Sequence, residues 1–344
     1  MNTRKILYLL AIAAMMLSAT SCSQEEDPTA GKVKVTFIAH LPETLSQDSR
    51  AIGDGTKANE LFFWVFDENN QEVLGMRQHN IAFDKNSNTA SVSAYLTPGH
   101  VYNFSFWAQR KDIDCYDPLT SSQVNMYYWD LYCNDDTRDA FWGWIPDLYV
   151  DEAGEITRDI VLVRRLAQVN VGITTEAYNS AKAAGIDLAD YDSELQIKSS
   201  SDQPITYSAF SVREGAPYTT NDQYKEYDVD FMPYESPILV EPLRIGSDKY
   251  YYLAMSYFQP EVAVPTLGNV TLILHHKVTG KTLTYEFPNA SFQGNKRTNL
   301  ILRGITEKVG FEVVIDENFD NLEYNYDENG NPLSGNGNGG NNGN

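Results

Sequence analysis

Short apolar runs with a period of two recur from one end of this chain to the other, each closed by turn-forming residues. Lys32 to Leu41 is the clearest: Val33, Val35, Phe37, Ala39 and Leu41 fall on one face, with Lys34, Thr36, Ile38 and His40 on the other. Glu60 to Phe66 ends at the turn signal Asp67-Glu68-Asn69-Asn70. Thr89 to Leu96 and Val101 to Gln109 flank Thr97-Pro98-Gly99-His100 as a hairpin-like pair. The pattern continues through 159–163, 166–174, 194–198, 205–212, 250–258, 270–276, 283–287, 299–305 and 311–315. Val278-Thr279-Gly280-Lys281 reads as a hairpin turn between two of these runs. One short helix interrupts them, Glu176 to Ala184, capped by Thr175 and stopped by Gly185. Strands at this spacing without alternating helices predict an all-β chain of antiparallel sandwiches, not a parallel α/β sheet.

The first residues carry an address. Arg4 and Lys5 precede an apolar run from Ile6 to Leu17, and small residues then lead to Cys22. A basic start, a short apolar segment and a small-residue cleavage site make a signal peptide. The run is too short to cross a bilayer core, which takes about 20 apolar residues. Leu17 to Cys22 (LSATSC) resembles a bacterial lipobox, which implies acylation of Cys22 and cleavage before it. Several acyl chains, each contributing about 0.8 kcal/mol per buried CH₂, would make a stable anchor. Glu25, Glu26 and Asp27 place an acidic cluster directly behind that lipid, resembling the export tag of surface lipoproteins in Bacteroidetes-type bacteria.

With 344 residues the chain is long enough for about two domains. Arg164 and Arg165, a charged pair in an apolar stretch, mark the expected boundary. The division is then a signal peptide at 1–21, a lipidated propeptide with the first strand at 22–50, sandwiches at 51–165 and 166–316, and a tail at 317–344. That tail is acidic and then almost wholly Asn and Gly from Asn329, without apolar periodicity. The formal charge of −21 becomes more negative once Arg4 and Lys5 leave with the signal peptide. Such a surface repels phosphate backbones, and no basic patch compensates, so nucleic acid is an unsuitable partner.

No catalytic constellation, cofactor motif or metal site emerges. There is no G-x-S-x-G elbow, phosphate-cradling glycine loop or H-E-x-x-H. His275 and His276 are adjacent, so on a strand they face opposite sides and cannot share a metal. Asp316-Glu317-Asn318 and Asp327-Glu328-Asn329-Gly330 lack the ligand spacing of a calcium loop. Beyond Cys22 the cysteines are Cys115 and Cys133, which in an exported protein either bridge the loop between them or stand as two thiols. That loop is rich in aromatics, among them Tyr116, Tyr127, Tyr128, Trp129, Tyr132, Phe141, Trp142, Trp144 and Tyr149. They serve either as core of an elaborated loop or as an exposed platform for sugar rings.

Taken in order, the lipobox, the acidic cluster, Ser49-Arg50-Ala51, Arg164-Arg165-Leu166-Ala167-Gln168-Val169 and Lys296-Arg297-Thr298-Asn299-Leu300 resemble the fimbrillin family of Bacteroidetes, over roughly Met1 to Asp316. The resemblance implies two tandem transthyretin-like, Greek-key β-sandwiches and no enzyme activity. It implies an outer-membrane lipoprotein precursor, cut by an arginine-specific surface protease between Arg50 and Ala51. The strand bearing Val33, Val35, Phe37, Ala39 and Leu41 is then released, and a strand from another pilus subunit takes its place. The donor candidate is Phe311 to Tyr326, with Phe311, Val313 and Ile315 on one face. A head-to-tail contact of this kind generates a filament. The competing reading is a surface glycan-binding lipoprotein of a nutrient-uptake system, using the aromatics between Tyr116 and Tyr149.

Overall fold

In the computed structural model of the protein, the described residues are 29–42, 57–119, 122–151, 154–233, 243–245, 248–305, 311–318, 322–326 and 332–333, with backbone only for 243–245, 248–249 and from 311 onward. They form a nearly all-β protein with one α-helix, as the period-two runs predict. A three-stranded sheet has the order β4 (Thr89–Leu96), β1 (Val33–His40), β9 (Ile156–Val161). It packs on a five-stranded sheet of order β10 (Val163–Arg164), β8 (Phe141–Tyr149), β5 (Val101–Gln109), β2 (Glu60–Phe66), β3 (Gln78–Ala82). Between them lies one core, including Val35, Phe37, Leu61, Phe63, Phe104 and Phe106.

The second sandwich repeats the plan. A seven-stranded sheet runs β18 (Leu243–Ile245), β19 (Asp248–Phe258), β11 (Ala167–Thr174), β22 (Arg297–Leu302), β23 (Phe311–Asn318), β24 (Leu322–Tyr326), β25 (Pro332–Leu333). Facing it are β17 (Asp228–Phe231), β12 (Tyr191–Ser199), β20 (Thr266–His276) and β21 (Thr282–Phe292). Most pairings are antiparallel, but β1 with β9 and β11 with β22 run parallel. In each half an early strand therefore lies beside a late one, so each sandwich is closed by its own ends.

A third layer joins the two. The sheet β15 (Ala216–Pro217), β14 (Ala209–Ser211), β7 (Gln123–Met126), β6 (Tyr116–Asp117) draws strands from both halves, and β13 (Thr206–Tyr207) pairs with β16 (Lys225–Glu226) beside it. This explains why ELFFWVF reads as unbroken apolar sequence. In β2, Leu61, Phe63 and Val65 face the first core, while Phe62, Trp64 and Phe66 face the second. A strand covered on both faces needs no polar side.

Local details differ from expectation in physically readable ways. The helix spans Thr175–Ala183, one residue earlier than expected, because Thr174 rather than Thr175 is the cap and accepts a hydrogen bond from the Ala177 amide at 3.1 Å. Gly185 follows at φ +85°, a conformation that suits glycine and ends the helix. The run expected at 205–212 is split into β13 and β14, which serve different sheets. The hairpin between β20 and β21 turns at Gly280, φ +67°. β21 continues past Pro288 to Phe292, a course open to it because it is an edge strand and proline cannot donate to a ladder.

Candidate functional site: the first strand and its cradle

The alternation in Val33–His40 becomes a strand held on three sides. Its antiparallel ladder to β4 runs from Val33–Leu96 to His40–Thr89, and its parallel ladder to β9 from Val35–Ile156 to His40–Val161. The ladder is prolonged at its end: the Leu41 amide donates to Asn88 O at 3.1 Å and the Leu162 amide to His40 O at 2.9 Å. Facing inward, Val35, Phe37 and Ala39 are wholly buried, with Val33 and Leu41 nearly so. The Phe37 ring lies 4.5 Å from Phe104, 5.4 Å from Phe106 and 5.6 Å from Phe63 between ring centres. Each large apolar side chain buried in this way is worth about 1.5–3 kcal/mol.

On the outer face, Thr36 Oγ1 lies 2.9 Å from Ser93 Oγ, His40 Nε2 lies 2.8 Å from Asp159 Oδ1, and Lys34 Nζ lies 3.6 Å from Glu155. These partners were not singled out in the sequence. The signal available was the polar alternation in 155–159, unreadable without knowing that β9 would lie parallel to β1. Such exposed pairs are worth about 0–1 kcal/mol, so they set register more than they hold the strand.

Apart from an isolated bridge between Asp84 and Thr89, β1 is the only strand paired with β4 or β9 among the described residues. Taking it away leaves two strands with unpaired backbone and an apolar slot between them. That is a template for another strand. On its far side β1 leads into residues 43–56, beyond which β2 begins in the facing sheet. Arg50 and Ala51 fall in that segment and Cys22 near the start, all three outside the described residues.

The remaining candidates are placed as follows. The strand of Phe311, Val313 and Ile315 is β23, which pairs antiparallel with β22 of its own chain, from Leu302–Phe311 to Arg297–Asp316. Cys115 and Cys133 are buried as free thiols, the second of the two alternatives. Both belong to the layer joining the sandwiches, where Cys133 Sγ donates to Phe231 O at 3.4 Å. Burial pushes the Cys115 thiol up to about 12 and raises Cys133 as well, so neither is a ready nucleophile. The aromatics between Tyr116 and Tyr149 divide: Tyr116, Phe141 and Trp142 are buried and Tyr128 and Trp144 pack on the core, whereas Tyr132, Tyr149 and above all Trp129, 65% exposed, face solvent. Among the described residues, no group of three or more metal-ligating side chains is assembled, and no helix is long and apolar enough to cross a membrane.

Arg164 and Arg165 turn out to be structural. Arg164 is buried, its guanidinium 2.8 Å from Asp139 Oδ2 and 4.9 Å from the centre of the Phe141 ring, and Arg165 lies 4.3 Å from the Trp142 ring. Two successive arginines stack on two successive aromatics because β10 pairs with the start of β8.

Comparison with known proteins adds a family. No curated protein matches the sequence. Several solved structures are similar in fold. A candidate polysaccharide-binding protein of Bacteroides thetaiotaomicron is 14% identical, with a TM-score of 0.47 over 87% of this chain and 99% of that one. A candidate cell adhesion protein of Bacteroides uniformis is 10% identical, with a TM-score of 0.49 over 84% of this chain and 99% of that one. The tip fimbrial protein Mfa3 of Porphyromonas gingivalis, truncated at its C-terminus, is 9% identical, with a TM-score of 0.44 over 83% of this chain and 99% of that one. A model of a family of unknown function matches residues 27–333, nearly the whole chain, and the protein therefore belongs to that family, DUF6562.

Proposed function

We propose that this chain is a structural subunit of a cell-surface filament of the fimbrillin type. On this reading it is exported as a lipoprotein acylated at Cys22 and cut between Arg50 and Ala51 by an arginine-specific protease. It then polymerises head to tail when a neighbour's strand replaces β1. One observation carries the reading: among the described residues β1 is the strand that pairs with both β4 and β9, the isolated Asp84–Thr89 bridge aside, and the chain passes from it to β2 through the segment that holds Arg50.

The tether decides the order of events. While the chain is intact, β1 competes at the high effective concentration of an intramolecular strand, and the precursor stays monomeric. Cutting does not expel the strand; it removes that advantage, so a donor can displace it and the piece can leave. The incoming strand recovers the main-chain hydrogen bonds, and its alternate side chains take the pockets of Val35, Phe37 and Ala39. A contact between one subunit's slot and another's strand does not close on itself, so it extends into a fibre.

The donor half of the reading assigns Phe311–Tyr326 of a neighbour, which must first leave its own ladder with β22. The test is to treat purified precursor with an arginine-specific protease, comparing wild type, Arg50→Ala and a chain truncated after Gly310. Wild type should lose β1 and assemble, Arg50→Ala should stay monomeric, and the truncation should be cut without elongating. Assembly of Arg50→Ala at the wild-type rate would end the strand-release model, and assembly of the truncated chain would dismiss the donor.

A further inference from the structure

One part of the surface is built unlike the rest. Tyr127 and Trp129 stand two residues apart with ring centres 4.4 Å apart and planes inclined by 36°, and Trp129 is 65% exposed. The backbone that presents them is pinned at both ends. Ahead of them, Met126 and Tyr127 donate to Ser208 O and Cys115 O at 2.9 Å each. The Tyr128 hydroxyl between them accepts from the Gln259 amide at 3.0 Å and lies 3.3 Å from Tyr207 O. Behind them, the Met232 amide donates to Leu131 O at 2.7 Å and the Cys133 amide to Met232 O at 2.9 Å. A locked loop that holds out an indole departs from the usual pattern, since burial of that ring is worth several kilocalories per mole on the scale of about 25 cal/mol per Å².

The rings form one wall of an open cleft. Its other lining includes Asn125, Glu226, Asp228 and Asp230, and no lysine, arginine or histidine. Asp228 and Asp230 flank the buried Val229 on β17, with Lys198 opposite Asp228 on β12; desolvation raises Asp230 against the opposing charge of Lys198, and raises Glu226 against its hydrogen bond with Ser208.

We infer that this cleft is a binding site for a neutral carbohydrate, with a sugar ring laid on the open face of Trp129 and its hydroxyls donating to Asp228 and Asp230. Three features select that chemistry. The two rings, inclined by 36°, pack on each other, which leaves the outer face of Trp129 flat and open rather than enclosed by the several facing walls that hold a cation. The cleft carboxylates accept hydroxyl hydrogens, and their negative charge, offset only in part by Lys198 opposite Asp228, disfavours phosphate, sulfate or carboxylate groups. The pinned loop has little ordering entropy left to lose on binding.

The test uses the purified, uncut precursor, so its outcome is independent of strand release. Neutral gluco-, xylo- and manno-oligosaccharides of six units are titrated while acrylamide quenching of tryptophan fluorescence is followed, since Trp129 is the exposed indole. At least one series should protect that indole. Trp129→Ala should weaken its binding about tenfold, the equivalent of about 1.4 kcal/mol, and Trp129→Phe should retain most of it. Asp228→Asn with Asp230→Asn should weaken binding without altering the circular dichroism spectrum. Protection by none of the three series, or unchanged affinity in Trp129→Ala, overturns the assignment. So does a Trp129-dependent complex with a protein in place of a sugar.

Discussion

At the residue scale the decisive positions are those buried where the two halves of the chain meet. Trp142 is one: its Nε1 donates to Val212 O at 2.7 Å, Arg165 lies over its ring, and Gly215, at φ +64°, leaves no room for a Cβ against it. Asp139 is another, wholly buried against Arg164. Desolvation raises its carboxyl above the usual range even though the Arg164 guanidinium opposes that rise. The charge pair is there because the strand crossing between the sandwiches must bury a polar connection and satisfy it. Asp139→Ala strands the Arg164 guanidinium in the interior and should cost about 3–5 kcal/mol, read from urea unfolding. Asp139→Leu combined with Arg164→Met should recover most of that loss, because no unpaired charge remains. A double variant as unstable as the single one would show that the pair does more than neutralise itself.

At the element scale, β1 has the inward face of a core strand and the outward face of a surface strand, and among the described residues its neighbours β4 and β9 pair with no other strand. Its retention after cleavage should then depend on main-chain pairing more than on surface charge. In precursor cut at Arg50, Ile38→Pro removes one ladder hydrogen bond, worth about 0.5–1.5 kcal/mol, so the strand should leave roughly fivefold faster. Lys34→Ala loosens only the exposed pair with Glu155 and should leave the release rate nearly unchanged. Mass spectrometry of the freed peptide over time measures both. Equal rates for Ile38→Pro and wild type would mean that side-chain burial alone retains the strand.

At the scale of the whole molecule, the two sandwiches are fused through the third layer. β7 of the first half pairs with β14 of the second, Trp107 and Trp142 both pack on Phe210, and Ser105 Oγ donates to Val212 O at 2.6 Å. Arg138 reaches into the second half as well, donating to Tyr257 O at 3.2 Å and lying over the Phe231 ring at 5.1 Å. Shared burial of this extent couples the unfolding of the halves. Calorimetry of the uncut precursor should show one cooperative transition. Two resolved transitions, with Asp139→Ala shifting only one of them, would show that the layer is a spacer and not a weld.

How much of this was legible in the sequence follows from the range of the forces involved. Period-two alternation is a local property of the strand, so β1, with Val35 and Phe37 inward, could be read from ten residues. The turn at Gly280 and the helix stopped at Gly185 were readable for the same reason, because left-handed backbone is a one-residue requirement. What the sequence could not announce was which strands become neighbours. The parallel placement of β9 beside β1 depends on closing a loop of more than a hundred residues, and nothing in Ile156–Val161 encodes it locally. The loop between Cys115 and Cys133 is the sharper case. Composition alone left its aromatics as core or platform and its cysteines as bridge or thiols. Only packing against the second sandwich buried Tyr116 and both cysteines while leaving Trp129 in solvent, because burial is decided by what the rest of the chain brings to each face.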